Sequence, residues 1–241
     1  MTAPASTRPR PLRRSSGPTP QAVIFDLDGV LVDSEPLHHR AANAVLAEDG
    51  HPPLSVAEYS RYLGMTDEDM WRDLRAMRGL GRPHEHYLSR FDINVLAEYR
   101  RHAIAAPGAV DLLEWLTACG LPLAVASSSR AQWVEICLHA IGVRRYFDRV
   151  VAGDMVARGK PDPEIFLAAA RQLRAQPARC VVFEDSPAGV TAASRAGMYT
   201  IAVCTAYTPP GLATGAHFTV NSLAEVSHAL RGRTVARARR R

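Results

Sequence analysis

Short apolar runs alternate along the chain with longer stretches in which apolar residues recur at helical spacing. The first run, Ala22 to Phe25, ends directly at an aspartate. Comparable runs cover residues 121–126, 180–183 and 200–204, with a weaker one at Val150-Val151. Runs of this length are typical of strands buried on both faces. The stretches of helical periodicity lie at residues 109–118, 131–141, 164–173 and 188–196. This order predicts an α/β fold with a doubly wound, Rossmann-like parallel sheet.

Residues 36–104 break this alternation, because their apolar positions are spaced as in helices only. The segment follows the first predicted strand directly, and prolines and glycines divide it into several helices. We therefore expect an α/β core formed by residues 21–35 and 105–230, with an inserted all-helical cap domain at residues 36–104. An insert of this kind can open and close over a site beneath it.

Acidic residues follow two of the predicted strands at the point where each strand ends. Asp26 and Asp28 come directly after the first strand, and Glu184 and Asp185 follow the run at 180–183. The carboxyl ends of parallel strands form one edge of the sheet, where ligands bind. Four carboxylates at this edge would repel one another without a cation, and oxygen ligands favour Mg²⁺. Taken singly, each pair also fits a turn or a helix cap.

The chain contains 28 arginines and a single lysine, Lys160, in the turn-rich stretch Gly159 to Pro163. Lysine is a compact point charge, whereas arginine is a planar fork. A site with space for only one small cation among carboxylates would require lysine. An arginine-rich composition could also leave one lysine by chance, so this observation alone decides nothing. Ser127 directly follows another predicted strand and should lie at the same edge of the sheet. It could donate a hydrogen bond to the oxygens of a bound phosphoryl group, or it could be an ordinary turn serine.

The net charge of +5 on the 241 residues lies at the two ends of the chain. Four arginines precede residue 21 and six follow residue 230, with no acid in either tail, which leaves a net charge of −5 for residues 21–230. The composition of residues 1–20 predicts a disordered basic tail, and residues 231–241 form a second basic tail. A nucleic-acid-binding protein that uses these tails is an alternative, but the acidic body argues against it.

No apolar run approaches the roughly 20 residues that a membrane span requires. The four cysteines lack C-x-x-C spacing, which indicates free thiols in a reducing compartment. We therefore expect a cytoplasmic protein, although the arginine-rich first 20 residues leave organelle targeting open. The sequence carries no signal of oligomeric state, and a monomer is compatible with it.

Four segments, taken together and in this order, resemble the four motifs of the haloacid dehalogenase superfamily. They are Phe25 to Ser34 (FDLDGVLVDS), Ala126 to Ser129 (ASSS), Gly159 to Pro163 (GKPDP) and Phe183 to Ser186 (FEDS). The helical insert is similar to the C1-type cap of the branch that includes beta-phosphoglucomutase and small sugar-phosphate phosphatases. The resemblance implies a Mg²⁺-dependent phosphatase that hydrolyses a small phosphorylated metabolite, such as a sugar phosphate, through an aspartyl-phosphate intermediate.

The resemblance also implies a role for each motif residue. Asp26 would attack phosphorus, and Asp28 would protonate the leaving alcohol and then activate water. Ser127 and Lys160 would hold the transferring phosphoryl oxygens. The implied Mg²⁺ ligands are Asp26, Asp28 through its backbone carbonyl, Asp185, and Glu184 directly or through water.

Departures from other branches of the superfamily narrow the expected reaction. Members that remove halide lack an acid two residues after the nucleophile, whereas Asp28 is present here. Members that cleave phosphonates use a lysine of the cap, and residues 36–104 contain no lysine. The first departure argues against dehalogenation, and the second excludes phosphonate cleavage. Within the superfamily, a hexose-phosphate mutase is then the main alternative to a phosphatase.

A mutase of this type has to retain a second, distal phosphate and needs cations for it. Leu63 and Asp67 stand where such mutases carry Lys and Arg, which favours the phosphatase. Arg130 could still meet a distal phosphate. The candidate substrate contacts are Ser34, His38, Gly64, Ser128 and Arg130.

Overall fold

The computed structural model describes residues 20–63, 65–205, 208 and 215–228. The predicted substrate contact Gly64, the tail at 231–241 and residues 1–19 of the other tail lie outside the described residues. Within the described ranges, no helix combines the length and apolar character that crossing a bilayer requires.

Six parallel strands form one sheet, which confirms the predicted doubly wound α/β fold. The strands are β1 (Ala22–Phe25), β2 (Leu123–Ala126), β3 (Arg149–Val151), β4 (Cys180–Glu184), β5 (Tyr199–Val203) and β6 (Phe218–Val220). Their spatial order is β3-β2-β1-β4-β5-β6, so the chain crosses from one side of β1 to the other between β3 and β4. Ligands bind to such sheets where the strand order reverses, at the carboxyl ends of the strands. The short strand β6 has no counterpart among the predicted runs.

In the described part of the chain, eight α-helices with defined bounds accompany the sheet, and residues 223–228, after β6, are helical as well. They are α1 (Glu35–Glu48), α2 (Val56–Tyr59), α3 (Asp67–Arg78), α4 (His84–His102), α5 (Ala109–Ala118), α6 (Ala131–Ala140), α7 (Glu164–Gln172) and α8 (Pro187–Arg195). The last four alternate with the strands, within one or two residues of the predicted bounds. Helix α8 begins with a proline directly after Ser186, whose hydroxyl accepts the N–H of Gly189. This is a favourable helix start, because proline has no N–H that would go unpaired.

Both faces of the sheet are buried, which explains the unbroken apolar runs. In β1, Ala22 and Ile24 pack with residues of α7 and α8, whereas Val23 and Phe25 belong to the cluster on the opposite face. Phe25 stacks on Phe183 of the neighbouring strand, with ring centroids 4.8 Å apart. Packing on both faces thus fixes strand β1, and with it the position of Asp26, the residue that follows the strand.

Four helices, α1 to α4, fill the chain between β1 and α5. Helix α4 packs on α1, α3 and the core helix α6. Trp71 stacks on Tyr87 of α4 in the interior of this helical segment, with ring centroids 5.3 Å apart. The two chain crossings between segment and core lie side by side, because Ala106 donates its N–H to Leu31 at 2.8 Å. The division into core and cap domain stays a prediction, but α4 reaches from the helical segment to the sheet edge.

Candidate active site

The strand register brings two acids to the same level of the sheet. Phe25 pairs with Phe183, so the next residues, Asp26 and Glu184, leave neighbouring strands side by side. The N–H of Asp26 donates to the carbonyl of Phe183 at 2.9 Å, which continues the ladder to this point. Register alone therefore forces these two carboxyl groups together.

Lys160 bridges the two acids. Its Nζ donates to Oδ1 of Asp26 at 2.5 Å and to Oε1 of Glu184 at 2.6 Å. The three side chains are 5%, 8% and 1% exposed, respectively, so the cluster is closed to solvent. Burial alone would lower the pKa of Lys160, but the charges of Asp26 and Glu184 outweigh it and raise that pKa above its ordinary value. The ammonium group is therefore firmly charged.

One ammonium does not compensate all the carboxyl groups around it. Burial raises the pKa of Asp26 to about 8; the charge of Lys160 opposes this shift, and Glu184 and Asp28 add to it. Burial also raises the pKa of Asp185 well above its ordinary value, and the charges of Glu184 and Asp26 raise it further. Ionisation of all these carboxyl groups together is thus unfavourable unless a further cation is present.

Asp185 lies against the turn that follows β1. Gly29 has a φ of +73°, and a Cβ atom there would come within 1.8 Å of Oδ2 of Asp185. Glycine is required at this position both for the left-handed backbone and for the close approach. The carboxylate of Asp185 therefore lies beside the Asp26 to Gly29 segment.

Glu184 is held from a second side by the start of helix α8. Its Oε2 accepts the backbone N–H of Ser186 at 2.8 Å and the Ser186 hydroxyl at 3.0 Å. A Cβ atom at Gly189 would lie 1.7 Å from Oε1 of Glu184, so only glycine leaves space for this carboxylate. Both carboxylate oxygens of Glu184 thus accept hydrogen bonds from other groups of the protein.

The carboxylate of Asp28 points to the helical segment and to the loop after β2. Its Oδ1 accepts a hydrogen bond from the Tyr99 hydroxyl at 3.0 Å, and its Oδ2 accepts one from the Ser129 hydroxyl at 2.9 Å. Nε2 of His38 lies 2.8 Å from the same Tyr99 oxygen. Because Tyr99 has a single hydroxyl proton and gives it to Asp28, Nε2 of His38 has to be the donor in this contact.

Tyr99 and Ser129 are not among the residues singled out from the sequence. Ser129 stood in the recognised serine run, but the run does not tell which hydroxyl turns toward Asp28. Tyr99 lies in the last turns of α4 and reads as an apolar core position. Burial raises its pKa well above the ordinary value, and the charge of Asp28 adds to this, so the hydroxyl stays protonated and remains a donor.

The donor chemistry at this edge fits Mg²⁺, although no complete set of ligands is preassembled. Among residues 20–63, 65–205, 208 and 215–228, no three acidic, histidine or cysteine side chains converge on a common point. The reason is that Glu184 is directed at Lys160, and the carboxylate of Asp28 at Tyr99. Asp26 and Asp185 provide the remaining carboxylate oxygens beside the backbone of Asp28. Carboxylate and carbonyl oxygen donors are what a hard divalent cation requires, and its charge would favour the ionised form of Asp26 and Asp185.

The other predicted contacts are distributed around this cluster. Ser127 is buried, and its hydroxyl accepts the N–H of Ser129 at 3.1 Å, whereas Ser128 is exposed. Ser34 is buried directly before α1, and its carbonyl accepts the backbone N–H of His38 at 3.0 Å. The structure thus brings Asp26, Lys160, Glu184 and Asp185 together and places these serines at the same edge. The roles that the sequence suggests for them stay predictions.

Arg130 is engaged by an acid of the helical segment. Its Nη1 donates to Oδ2 of Asp92 on α4, which forms an ion pair between the loop after β2 and that helix. The Arg130 side chain is 57% exposed and the Asp92 side chain 28%. Sequence reasoning expected Arg130 to be available to substrate and did not identify Asp92.

Comparison with known proteins agrees with the motif order. The sequence model of the haloacid dehalogenase-like hydrolases matches residues 20–197. The chain is 34% identical over 178 residues to the phosphorylated carbohydrates phosphatase of Thermotoga maritima, covering 74% of this chain and 82% of that protein. It is 34% identical over 179 residues to the fructose-1-phosphate phosphatase of Escherichia coli, covering 73% and 92%.

A solved structure provides the corresponding comparison of folds. A Thermotoga maritima protein with a provisional beta-phosphoglucomutase assignment superposes with a TM-score of 0.78 at 31% identity, covering 88% of this chain and 99% of that one. The sequence-based resemblance is confirmed by these matches.

Proposed function

Because this chain belongs to the haloacid dehalogenase-like hydrolases, we propose that it is a Mg²⁺-dependent phosphatase that hydrolyses a small phosphorylated sugar through an aspartyl-phosphate intermediate. The observation that carries the proposal is the buried Lys160, which joins Asp26 and Glu184 at the carboxyl ends of neighbouring strands. A buried cation beside a carboxylate at this edge supports phosphoryl transfer, which depends mainly on positioning and charge stabilisation.

In the first step, an Oδ atom of Asp26 attacks phosphorus. The bond from phosphorus to the ester oxygen breaks, and Asp28, which has to enter this step in its protonated form, gives its proton to the departing alcohol. Lys160, which contacts Asp26, would offset the charge of the transferring phosphoryl group, and Ser127, which directly follows β2, would donate to its oxygens. The products of this step are the alcohol and phosphorylated Asp26.

In the second step, a water molecule attacks the phosphorus of phosphorylated Asp26. Asp28 is now a carboxylate and takes the proton of the water, and the bond from phosphorus to the Asp26 oxygen breaks. The sum of both steps is ester plus water to alcohol plus phosphate, with Asp26 and Asp28 restored. The hydroxyls of Tyr99 and Ser129, which contact the two carboxyl oxygens of Asp28, would orient its side chain in both steps.

Asp26, Asp185 and the backbone carbonyl of Asp28 would hold the Mg²⁺ ion, with Glu184 contributing through water. The ion supplies positive charge that draws the phosphate to an acidic site. Glu184 then has a second task, which is to keep Lys160 in place, as its 2.6 Å contact with Nζ indicates. Because some carboxylates would bind Mg²⁺ and Glu184 also holds Lys160, the site contains more carboxylates than a metal alone needs.

We further propose that residues 36–104 act as a cap over a core made of residues 21–35 and 105–230. The contact of Tyr99 with Asp28 supports this proposal, since it joins the helical segment to the catalytic loop. A closed cap would exclude bulk water during the first step. All four cysteines are free, which supports a cytoplasmic location.

The sugar-phosphate class follows from the relatives, which act on phosphorylated carbohydrates and fructose 1-phosphate according to their names. A beta-phosphoglucomutase-type reaction is the second candidate, supported by the structural similarity to the Thermotoga maritima protein. Incubation with beta-glucose 1-phosphate and a trace of the bisphosphate separates the two. A phosphatase releases free phosphate, whereas a mutase forms glucose 6-phosphate without it.

The proposal is tested by measuring phosphate release across a panel of sugar phosphates with Mg²⁺. Asp26→Asn should abolish turnover while the circular dichroism spectrum stays unchanged, because asparagine keeps the shape but not the nucleophile. Asp69→Asn is the matched control, since Asp69 pairs with Arg72 on the outside of α3. Retained turnover in Asp26→Asn would exclude the aspartyl-phosphate route.

A further inference from the structure

The loops at the carboxyl ends of the strands contain few cations. In the sequence, the segments that follow the six strands at this edge contribute only Arg130, Arg158 and Lys160 as arginine or lysine. Each is already paired: Lys160 with Asp26 and Glu184, Arg158 with Asp162, and Arg130 with Asp92. An incoming anion beyond the transferring phosphate therefore meets no free cation on these loops.

The ion pair of Arg130 and Asp92 is separated from Asp28, the proposed general acid. The separation suits a contact with the end of a small substrate that is remote from the transferring phosphate. Asp92 and Tyr99 are seven residues apart on α4 and so share one face of the helix. Seven residues correspond to a rise of about 10 Å. Tyr99 touches Asp28, so the ion pair lies roughly two helical turns away from the proposed general acid.

A second acid, Asp67, lies near this end of the site. Asp67 is the first residue of α3. Burial raises its pKa; the charges of His38 and Arg130 oppose the shift, and those of Asp92 and Asp28 add to it. Asp67 is therefore within electrostatic reach of both Asp28 and the ion pair. Among the described side chains, Asp67 has no hydrogen-bond or ion-pair partner.

We propose that Asp92 is a specificity-determining residue, which holds Arg130 and thereby makes the site select sugar monophosphates with an uncharged far end over sugar bisphosphates. The inference rests on the proposed phosphatase function and specifies its substrate class. A second phosphate would have to displace Asp92 from Arg130 and would then face the carboxylates of Asp92 and Asp67. Since exposed ion pairs are weak, the ion pair itself contributes little to folding, and its removal leaves the fold intact.

The test compares two substrates that differ only at the far end, fructose 1-phosphate and fructose 1,6-bisphosphate. For each variant, the ratio of the two kcat/KM values is measured. The full-length wild-type protein should favour the monophosphate by about tenfold or more, and Asp92→Asn should reduce that preference by roughly threefold or more, because it frees Arg130. Any effect on cap closure acts on both sugars, so it cancels in the ratio.

Two further variants isolate the role of Arg130. Asp92→Asn combined with Arg130→Gln should restore the preference for the monophosphate, because the freed cation is gone. Glu48→Gln is the matched control: it also removes one acid and frees one arginine, Arg90, but in an ion pair away from the sheet edge. Glu48→Gln should leave the ratio within about twofold of wild type.

If neither sugar is turned over, the same ratio is obtained from their inhibition constants against p-nitrophenyl phosphate hydrolysis. A wild-type protein without preference, or an Asp92→Asn variant with an unchanged ratio, would overturn the inference while leaving the phosphatase function in place. Failure of the phosphatase function itself looks different, because then no ester, including p-nitrophenyl phosphate, releases phosphate. In that case the inference falls with it.

Discussion

The hydroxyl of Tyr99 donates a hydrogen bond to the carboxylate of Asp28 across 71 residues of sequence, at 3.0 Å. This contact joins the last turns of α4 to the turn after β1. Together with the Ser129 hydroxyl, it gives each carboxyl oxygen of Asp28 one donor. The side chain proposed as general acid and base is therefore oriented jointly by the sheet edge and by the helical segment.

Tyr99→Phe is expected to lower kcat about tenfold with little change in KM, because the ring stays packed and only the hydroxyl that orients Asp28 is lost. Tyr62→Phe is the matched control, since Tyr62 also donates to an aspartate, Asp73 at 2.9 Å, within the helical segment. The measurement is steady-state kinetics on one sugar phosphate. Equal losses in the two variants would assign the effect of Tyr99 to general stability.

Lys160→Arg is expected to lower kcat by about 100-fold or more, because a planar guanidinium does not fit the enclosed space between Asp26 and Glu184. Arg158→Lys, the opposite exchange two residues earlier, should have near-normal activity, since the Arg158 side chain is 67% exposed. Phosphate release under saturating substrate measures both variants. Near-normal activity of Lys160→Arg would mean that the single lysine of the chain is a compositional accident.

Removal of divalent cations with EDTA should abolish phosphate release, and added Mg²⁺ should restore it. Mg²⁺ should also raise the melting temperature by several degrees at about 100 times its Kd, because it binds only the folded carboxylate cluster. Differential scanning fluorimetry measures this shift.

Asp185→Asn should remove most of the Mg²⁺-dependent shift in melting temperature. Without the metal, this variant should melt higher than the wild type at neutral pH. The sign follows from the raised pKa of Asp185: burial and the charges of Glu184 and Asp26 disfavour its ionised form in the folded state. A Mg²⁺ response as large as that of the wild type would place the ion elsewhere.

Gly29→Ala is expected to destabilise the protein by about 2 kcal/mol or more and to abolish activity, because a Cβ there would clash with Asp185 and strain the backbone. Gly142→Ala is the control for strain alone, since Gly142 has the same φ of +73° with nothing within 4 Å of the added atom. Urea unfolding of both variants measures the two free energies. Similar values would show that Asp185 moves aside without penalty.

The sheet could be predicted because its strands are buried on both faces and therefore appear in the sequence as short apolar runs. Several of these runs end directly at a polar residue, such as Asp26 or Ser127. Asp26, Glu184 and Lys160 could be placed together from the sequence for the same reason, since parallel strands bring their carboxyl ends to one edge. Strand β6 was missed because Phe218–Val220 is three residues long and its middle residue is polar.

Tyr99 and Asp92 could not be found in this way. Their contacts with Asp28 and Arg130 depend on how α4 crosses the core, and helical periodicity does not determine that crossing. Periodicity assigns Tyr99 to the buried face of its helix correctly, but it does not reveal that one atom of a buried ring is a donor to a carboxylate. The ion pair with Asp92 likewise makes Arg130 less available to substrate than the sequence suggested.

The adjacent chain crossings near Leu31 and Ala106 make the architecture modular. The helical segment leaves the chain after β1 and rejoins it before α5 at neighbouring points, and all six strands of the sheet come from outside that segment. Asp26, Lys160 and Glu184 belong to the sheet and its loops, whereas Asp92 and Tyr99 belong to the insert. If the insert determines substrate preference as proposed, replacing this one continuous stretch of sequence should change that preference while Asp26, Lys160 and Glu184 stay in place, provided that the new stretch again supplies a donor to Asp28 where Tyr99 does now.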